Sequence, residues 1–369
     1  MTQASLATGF ADIAVVGSAL GAYPGAEVVG LVQALPSEDG STEGQALQVG
    51  QLVLVPRLLP CGECDACRRG RVAVCAERLP RPGRPQHTER LPLRFLLPLA
   101  PPYCGLPPPE VDWFRYAAFA DALLAPYAAL VRAGVGPGSL CAVVGRGARA
   151  ALSAVVAKAM GAATVLVSAG LSAGDQDRLL AAPFDVLSVL RDERLDTAAI
   201  RSSLRGVAQG AGLPPHGICV LETSGSDAGR ALAIGLLERG GTALLLDRAQ
   251  PLLREEAAPL DREASLAMDL PLGPTLSSLA LLDRAVAEGC QIVGGGSVHP
   301  DLLIELVALC QRAGVDLCQL TRRITPSQID STMADRRQGR GDLLMLPVVD
   351  YGRPSPSVTG VGSAAAQPS

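Results

Sequence analysis

Four cysteines crowded between positions 61 and 75 constrain this chain more than any other feature. Cys61, Cys64, Cys67 and Cys75 follow the spacing C-x2-C-x2-C-x7-C. Four thiolates so spaced can close a tetrahedron around one zinc ion, leaving no position for water, which makes such a site structural. Gly62 and Gly70 permit the tight turns, and Arg68, Arg69 and Arg71 are placed to offset the charge of four thiolates. Free thiols without metal and an iron–sulfur cluster are the competing readings. The six other cysteines are scattered and read as ordinary core residues. Ten cysteines in 369 residues are too sparse for a disulfide framework.

The rest of the composition narrows the classes. A hydrophobic share of 48% excludes a disordered chain, and a net charge of −4 gives no reason to expect nucleic acid or an anionic membrane. Lys158 is the single lysine, and three histidines (His87, His216 and His299) leave few groups for amine or imidazole chemistry. No apolar run reaches the length of a membrane span, and Met1–Gly9 lacks the charge and apolar pattern of a secretory signal. A cytoplasmic protein is therefore expected.

Along the chain, residues 10–60 carry short apolar runs broken by Gly and Pro, as in a small β-rich domain. Residues 76–112 are dense in Pro and Arg and read as loop and edge strand, and a helix is predicted over 111–133. From Leu140 the pattern changes to strands alternating with helices. Strands are predicted at 140–145, 163–168, 185–190, 217–222 and 241–247, and helices at 150–160, 176–181, 197–209 and 228–237. Such alternation builds a parallel sheet with helices on both faces. Residues 249–275 resist assignment, 292–296 read as a strand, 301–313 as a helix and 343–349 as a strand. The boundaries expected are a first domain over 1–122, a second over 123–299, and a disordered tail over 353–369.

Gly145-Arg146-Gly147-Ala148-Arg149-Ala150 lies between a predicted strand and a predicted helix and matches G-x-G-x-x-A. In the dinucleotide fingerprint the first glycine makes the turn. The second lets a pyrophosphate approach the helix N-terminus, and the third small residue lets helix and strand pack closely. Gly145, Gly147 and Ala150 fill these places. The second strand of the unit ends at Ser168, where a carboxylate would bind the ribose diol of NAD. Ser168 tolerates a 2′-phosphate instead, and Arg146 is the nearest source of charge for it. A scaffold with weakened cofactor binding is the alternative.

Together the four-cysteine lobe and the glycine-rich unit resemble the zinc-type medium-chain dehydrogenase/reductase family, the alcohol dehydrogenase class. Leu59–Cys64, Ala211–Gly217 and Glu222–Gly229 look most like a branch of that family acting on a CoA thioester. The resemblance implies an α/β fold, with a GroES-like β-rich domain joined to a Rossmann doubly wound parallel sheet. It further implies one structural zinc, NAD(P), a small-molecule substrate, and a dimer or tetramer.

The same resemblance exposes departures. Gly25-Ala26-Glu27 stands where the family has G-H-E, so Ala26 replaces a zinc-binding histidine, and no cysteine precedes Cys61 to supply the first ligand. Asp121 matches the third ligand and Glu27 the acidic residue beside the metal. Two carboxylates make a poor catalytic zinc site, which needs about three protein ligands and an open position. Asp121 and Glu27 are thus candidate remnants of a catalytic centre, with relic surface or strand carboxylates as the alternative. Tyr127 is a possible proton donor, or simply a core tyrosine.

Overall fold

The strand Phe10–Leu20 (β1) is the hub of the first sheet. It pairs antiparallel with Pro24–Ala34 (β2), Thr88–Pro92 (β6) and Leu346–Asp350 (β15). In this computed structural model the described residues are 9–20, 24–36, 47–55, 58–59, 61, 63–69, 74–77, 79–80, 86–99, 112–119, 122–169, 185–189, 197–246, 278–294, 300–338, 342 and 344–352. The sheet is completed by Leu52–Val55 (β3), Leu97–Pro98 (β7) and Thr321–Ile324 (β14), in the order β14-β15-β1-β2-β3-β7 with β6 also on β1.

These strands are apolar on both faces, which is why the sequence shows continuous runs rather than alternation. Val53 and Val55 of β3 join Ile13 and Val28 in one cluster, while Leu52 and Leu54 join Val16 and Val29 in another. The second face is covered by a short 3-10 helix, Trp113–Phe119. Its backbone crosses so close over β1 that a Cβ at Gly17 would meet Phe114 Cα at 2.5 Å. Arg323 lies 4.6 Å from the Phe114 ring centroid and pairs with Asp112 and Asp350, tying β14 to that crossing.

The helix predicted over 111–133 is thus two elements among the described residues, the 3-10 turn and Leu124–Arg132 (α2). The stretch Trp113–Arg132 is long and apolar enough to cross a membrane, but 81% of its most apolar window is buried within the fold. Two other expectations change in length: β1 and β2 run 11 residues each where brief strands were expected. The reason is burial on both faces, which tolerates the small residues Gly17, Ser18 and Gly30 that interrupt the apolar pattern. A Cβ at Gly30 would fall 2.9 Å from the Ala14 carbonyl oxygen.

The second sheet is all parallel. It comprises Leu140–Val144 (β8), Ala163–Ala169 (β9), Asp185–Val189 (β10), Cys219–Glu222 (β11), Thr242–Leu245 (β12) and Gln291–Gly294 (β13). Their order is β10-β9-β8-β11-β12-β13. The chain winds outward from β8 in one direction and from β11 in the other, so the switch point of the sheet, where such sheets take their ligands, lies between the carboxyl ends of these two strands. Helices Ala148–Ala159 (α3), Thr197–Gly210 (α4), Asp227–Gly235 (α5) and Ser278–Ala287 (α6) lie between successive strands. Pro300–Arg312 (α7) and Ile329–Arg337 (α8) follow. The helix α6, the strand β14 and the helix α8 were not anticipated, while the helix expected near 176–181 and the tail from 353 lie outside the described residues.

Alternate residues of β8, β9, β11 and β12 enter different cores. Cys141 and Val143 of β8 face α3 and α7, while Leu140, Ala142 and Val144 face α4 and α5. In α4 the buried stripe is Ile200, Leu204 and Ala208 at four-residue spacing, with Val207 packed beside it and Arg201, Ser202, Ser203 and Arg205 on the other side. The cluster containing Cys141 continues through α2 to Leu52 and Val29 of the first sheet, so one apolar core joins the two sheets. This is the α/β architecture expected: a GroES-like β-rich part and a doubly wound parallel sheet.

Candidate functional sites: a four-cysteine centre and a dinucleotide crevice

The four cysteines converge. The sulfurs of Cys61, Cys64, Cys67 and Cys75 all lie within 4.8 Å of one another, with Cys61 Sγ 3.5 Å from Cys75 Sγ and 3.9 Å from Cys67 Sγ. Zinc–sulfur bonds of the usual length set tetrahedral sulfurs about 3.8 Å apart, so the donor set fits zinc. A four-residue helix, Asp65–Arg68 (α1), carries Cys67, and Cys64 caps it, accepting the Cys67 backbone N–H on its sulfur. The Cys64 N–H donates to Cys61 Sγ and the Cys61 N–H to Cys75 Sγ, both at 3.4 Å. Backbone donors of this kind favour thiolate over thiol. The Cys61 thiol is accordingly lowered to about 7, chiefly by the Cys64 N–H and then by that of Glu63.

Cys75 is buried and the other three are partly exposed. The two-stranded sheet of Leu58–Leu59 (β4) and Leu79–Pro80 (β5) frames the lobe at its ends. Arg69, expected to offset the thiolates' charge, pairs with Asp65 one helical turn earlier at 3.1 Å. Arg68 is exposed, and Gly62, Gly70 and Arg71 lie outside the described residues. Among the described residues no other group of three or more metal-capable side chains converges.

The glycine-rich turn sits at the mouth of the crevice. Gly147 caps α3 at φ +84° with no side chain closing the cap, which leaves the first N–H groups of α3 open to an anion. Ala148 and Ala150 are buried against the sheet, the helix–strand contact that the motif requires. Arg146 and Arg149 flank the turn half-buried. The strand β9 runs one residue past Ser168, to Ala169. Ser168 is 2% exposed, and its hydroxyl has no hydrogen-bond partner among the described residues. A buried hydroxyl without a partner at the end of the second strand suits a ribose oxygen or its phosphate. The residues at this turn therefore fit a dinucleotide.

Two neighbours of the turn carried no role in the sequence reading. Thr223 follows β11 and donates from both N–H and Oγ1 to the Val144 carbonyl, at 2.9 and 3.1 Å. Glu222, the last residue of β11, is wholly buried. Its carboxylate accepts the N–H and hydroxyl of Ser224 and the N–H of Gly225. Burial pushes this carboxyl above its ordinary value, and the donors of Ser224 and Gly225 with the charge of Arg230 offset part of that rise. A carboxylate one residue past the apolar run Cys219–Leu221, at the carboxyl end of a central parallel strand, is the signal that could have found it.

Glu27 lies in β2 opposite Ala19 and is buried, and Ala26 precedes it in the same strand. Asp121 and His299 lie outside the described residues. His87 and His216 are exposed. Tyr127 in α2 donates its hydroxyl to Glu305 of α7 at 3.3 Å, so that group bridges two helices. At the opposite end of the parallel strands, Arg201 and Arg284 donate to the Gly235 carbonyl, and Arg201 pairs with Glu238. Those guanidiniums close the C-terminus of α5 and serve structure.

Comparison with known proteins bears on both sites. Residues 6–99 match the alcohol dehydrogenase GroES-like domain. The NADP-dependent alcohol dehydrogenase 6 of Saccharomyces cerevisiae is 28% identical over 156 residues, a match covering 39% of this chain and 40% of the yeast enzyme. The fold matches an alcohol dehydrogenase from a Thermus species with a TM-score of 0.66 at 18% identity, covering 92% of each chain. It also matches the cobalt- and zinc-bound thermostable alcohol dehydrogenase of Pyrobaculum aerophilum with a TM-score of 0.63 at 17% identity, covering 93% of this chain and 91% of that one. Galactitol-1-phosphate dehydrogenase of Escherichia coli gives a TM-score of 0.66 at 15% identity, covering 95% and 93%.

Proposed function

We propose that this chain, whose N-terminal part is an alcohol dehydrogenase GroES-like domain and whose fold is that of the alcohol dehydrogenases, is a zinc-type medium-chain dehydrogenase/reductase homologue. In this reading it uses NAD(P) on an alcohol, ketone or enoyl group without a catalytic zinc. The observation that carries the reading is the open α3 N-terminus at Gly147, set between the Gly145 turn and the buried, unpartnered Ser168 hydroxyl. Gly145, Gly147 and Ala150 would cradle the pyrophosphate. Ser168 in place of a carboxylate, with Arg146 of the turn as a source of positive charge, would favour the 2′-phosphorylated cofactor. When bound, the dinucleotide gives or takes a hydride. Cys61, Cys64, Cys67 and Cys75 hold one structural zinc that fixes their lobe.

The catalytic metal is the point of departure. Ala26 in place of histidine removes one ligand of the family's catalytic zinc, and the matching positions Asp121 and Glu27 are carboxylates, two of which do not build a zinc centre with about three protein ligands. The substrate carbonyl would then be held and polarised by protein groups alone. Within the family the likeness of Leu59–Cys64, Ala211–Gly217 and Glu222–Gly229 is to 6-hydroxycyclohex-1-ene-1-carbonyl-CoA dehydrogenase, which points to a CoA thioester as substrate. A homo-oligomer in the cytoplasm completes the reading, with domains over 1–122 plus 300–352 and over 123–299.

The same missing ligands favour a second reading: a non-catalytic paralogue that keeps the structural zinc and binds a nucleotide or a related active subunit. Zinc per chain after chelator washing, with NADPH and NADH titration and turnover of enones, ketones and alcohols, separates the two. One zinc with saturable binding and turnover supports the metal-independent oxidoreductase. One zinc with binding and no turnover supports the paralogue. Two zincs overturn the loss of the catalytic centre, and zero overturns the structural site.

A further inference from the structure

We infer that Glu222 is a positioning residue of the dinucleotide crevice, holding the segment 223–226 as the wall that faces the glycine-rich turn. The inference rests on the dinucleotide reading above and adds a residue to it. Glu222 stands beside Val144 in register, so its strand and the one leading into Gly145 end side by side at the switch point of the sheet. Three donors from Ser224 and Gly225 converge on its carboxylate. They are the Ser224 N–H at 2.6 Å, the Ser224 hydroxyl, and the Gly225 N–H at 2.9 Å.

The chain of contacts runs on from there. The Ser224 and Ser226 hydroxyls lie 2.8 Å apart, and Ser226 caps α5 by accepting the Gly229 N–H at 2.9 Å. Gly229 roofs the cluster, since a Cβ there would fall 2.3 Å from Ser224 Oγ and 2.7 Å from Glu222 Oε1. Toward the crevice the same segment presents Thr223, fixed to the Val144 carbonyl and pressed on Gly145. One carboxylate therefore sets the bend of 223–226, the cap of α5 and the distance between Thr223 and the turn.

Such an arrangement is unnecessary for the fold alone. An apolar residue would complete β11 at lower desolvation cost, because a buried carboxylate is expensive unless donors surround it. The donors here belong to the crevice wall, which is what a group that shapes that wall requires. A dinucleotide held at the α3 N-terminus would lie against the Gly145–Gly147 turn and the adjoining Thr223–Gly225 segment together, so the position of that wall would bear on affinity.

The test uses the full zinc-loaded chain and four proteins: wild type, Glu222→Gln, Glu222→Leu and Ser224→Ala. The readouts are NADPH and NADH titration by nicotinamide fluorescence, amide hydrogen exchange at 223–226, and thermal melting. Glu222→Leu is expected to weaken NADPH binding about tenfold or more, the scale of lost charge-assisted hydrogen bonds, and to speed exchange at Ser224 and Gly225. Glu222→Gln, which keeps one carbonyl acceptor for both N–H groups, is expected to restore most of the affinity and the protection. If Glu222→Leu does not fold, Ser224→Ala decides, with weaker binding and faster exchange at 225–226 expected. Unchanged affinity in folded Glu222→Leu or in Ser224→Ala, beside a wild type that binds, overturns the inference and leaves the dinucleotide reading standing. A wild type that binds neither dinucleotide overturns both.

Discussion

Thr223 Oγ1 stands 2.1 Å from the point a Cβ on Gly145 would occupy. The first glycine of the turn is therefore required by a neighbour across the sheet as well as by its own φ of +156°. Gly145→Ala is expected to destabilise the chain by about 1–3 kcal/mol, the usual cost of forcing a group into a packed site. It should also abolish dinucleotide binding. Urea unfolding and NADPH titration check the two effects, and a second change, Thr223→Ser, should leave the clash in place because the offending atom is the hydroxyl oxygen.

Removing one sulfur should empty the four-cysteine centre. Cys64→Ser is expected to lower zinc from one per chain to near zero, since a structural site holds its metal through all four ligands. Proteolysis around 60–80 should become rapid while the parallel sheet, which shares no ligand with the lobe, keeps its helical circular dichroism. Elemental analysis and limited proteolysis measure both, and retained stoichiometric zinc would count against the tetrahedral site.

Tyr127 offers a separation of structural from chemical roles. Its hydroxyl reaches Glu305, and burial with that carboxylate raises its pKa above the ordinary value, so it stays protonated at neutral pH. Tyr127→Phe should cost about 1–3 kcal/mol, the range for a hydrogen bond to a charged acceptor. Any turnover should keep its pH profile. A lost basic or acidic limb in that profile would make Tyr127 a proton donor instead.

The pH dependence of stability carries the sign of Glu222. Burial raises its folded pKa above the ordinary 4.5, so the folded state binds its proton more tightly than the unfolded chain. Its contribution is most favourable below 4.5, declines as pH rises through the raised folded value, and is level above it. The stability difference between wild type and Glu222→Gln should therefore shrink or reverse between pH 4.5 and neutrality, as measured by urea titration. A difference that stays level over that interval and falls away below pH 4.5 would mean that the surrounding donors outweigh desolvation.

Much of this was legible in the chain itself. The cysteine spacing foretold a convergence that the sulfurs at 3.5–3.9 Å bear out, because ligands close in sequence need only local turns to meet. The alternation from Leu140 onward was equally readable: β8, α3 and β9 lie within two residues of their expected bounds. Long-range relationships were not legible. Glu222 reads as one polar residue after an apolar run, and only its register with Val144 places it at the switch point. The strand β14 was missed because its outer residues Arg322 and Arg323 are charged and its partner β15 is distant in sequence. The Arg69–Asp65 pair was not legible either, because the cysteine spacing alone does not show that Asp65 heads the helix one turn before Arg69.

The pairing of β1 with β15 joins Gly17 to Asp350 and brings Ser18 and Tyr351 together across 333 positions of chain. On a ribosome, the hub strand of the first sheet must wait for nearly the whole protein to be made before its neighbour exists. The parallel sheet, whose strands lie between positions 140 and 294, has all its partners earlier. The half that is synthesised first is thus completed last, and during that interval the apolar faces of β1, β2 and β3 are the surface on which a chaperone would have its clearest hold.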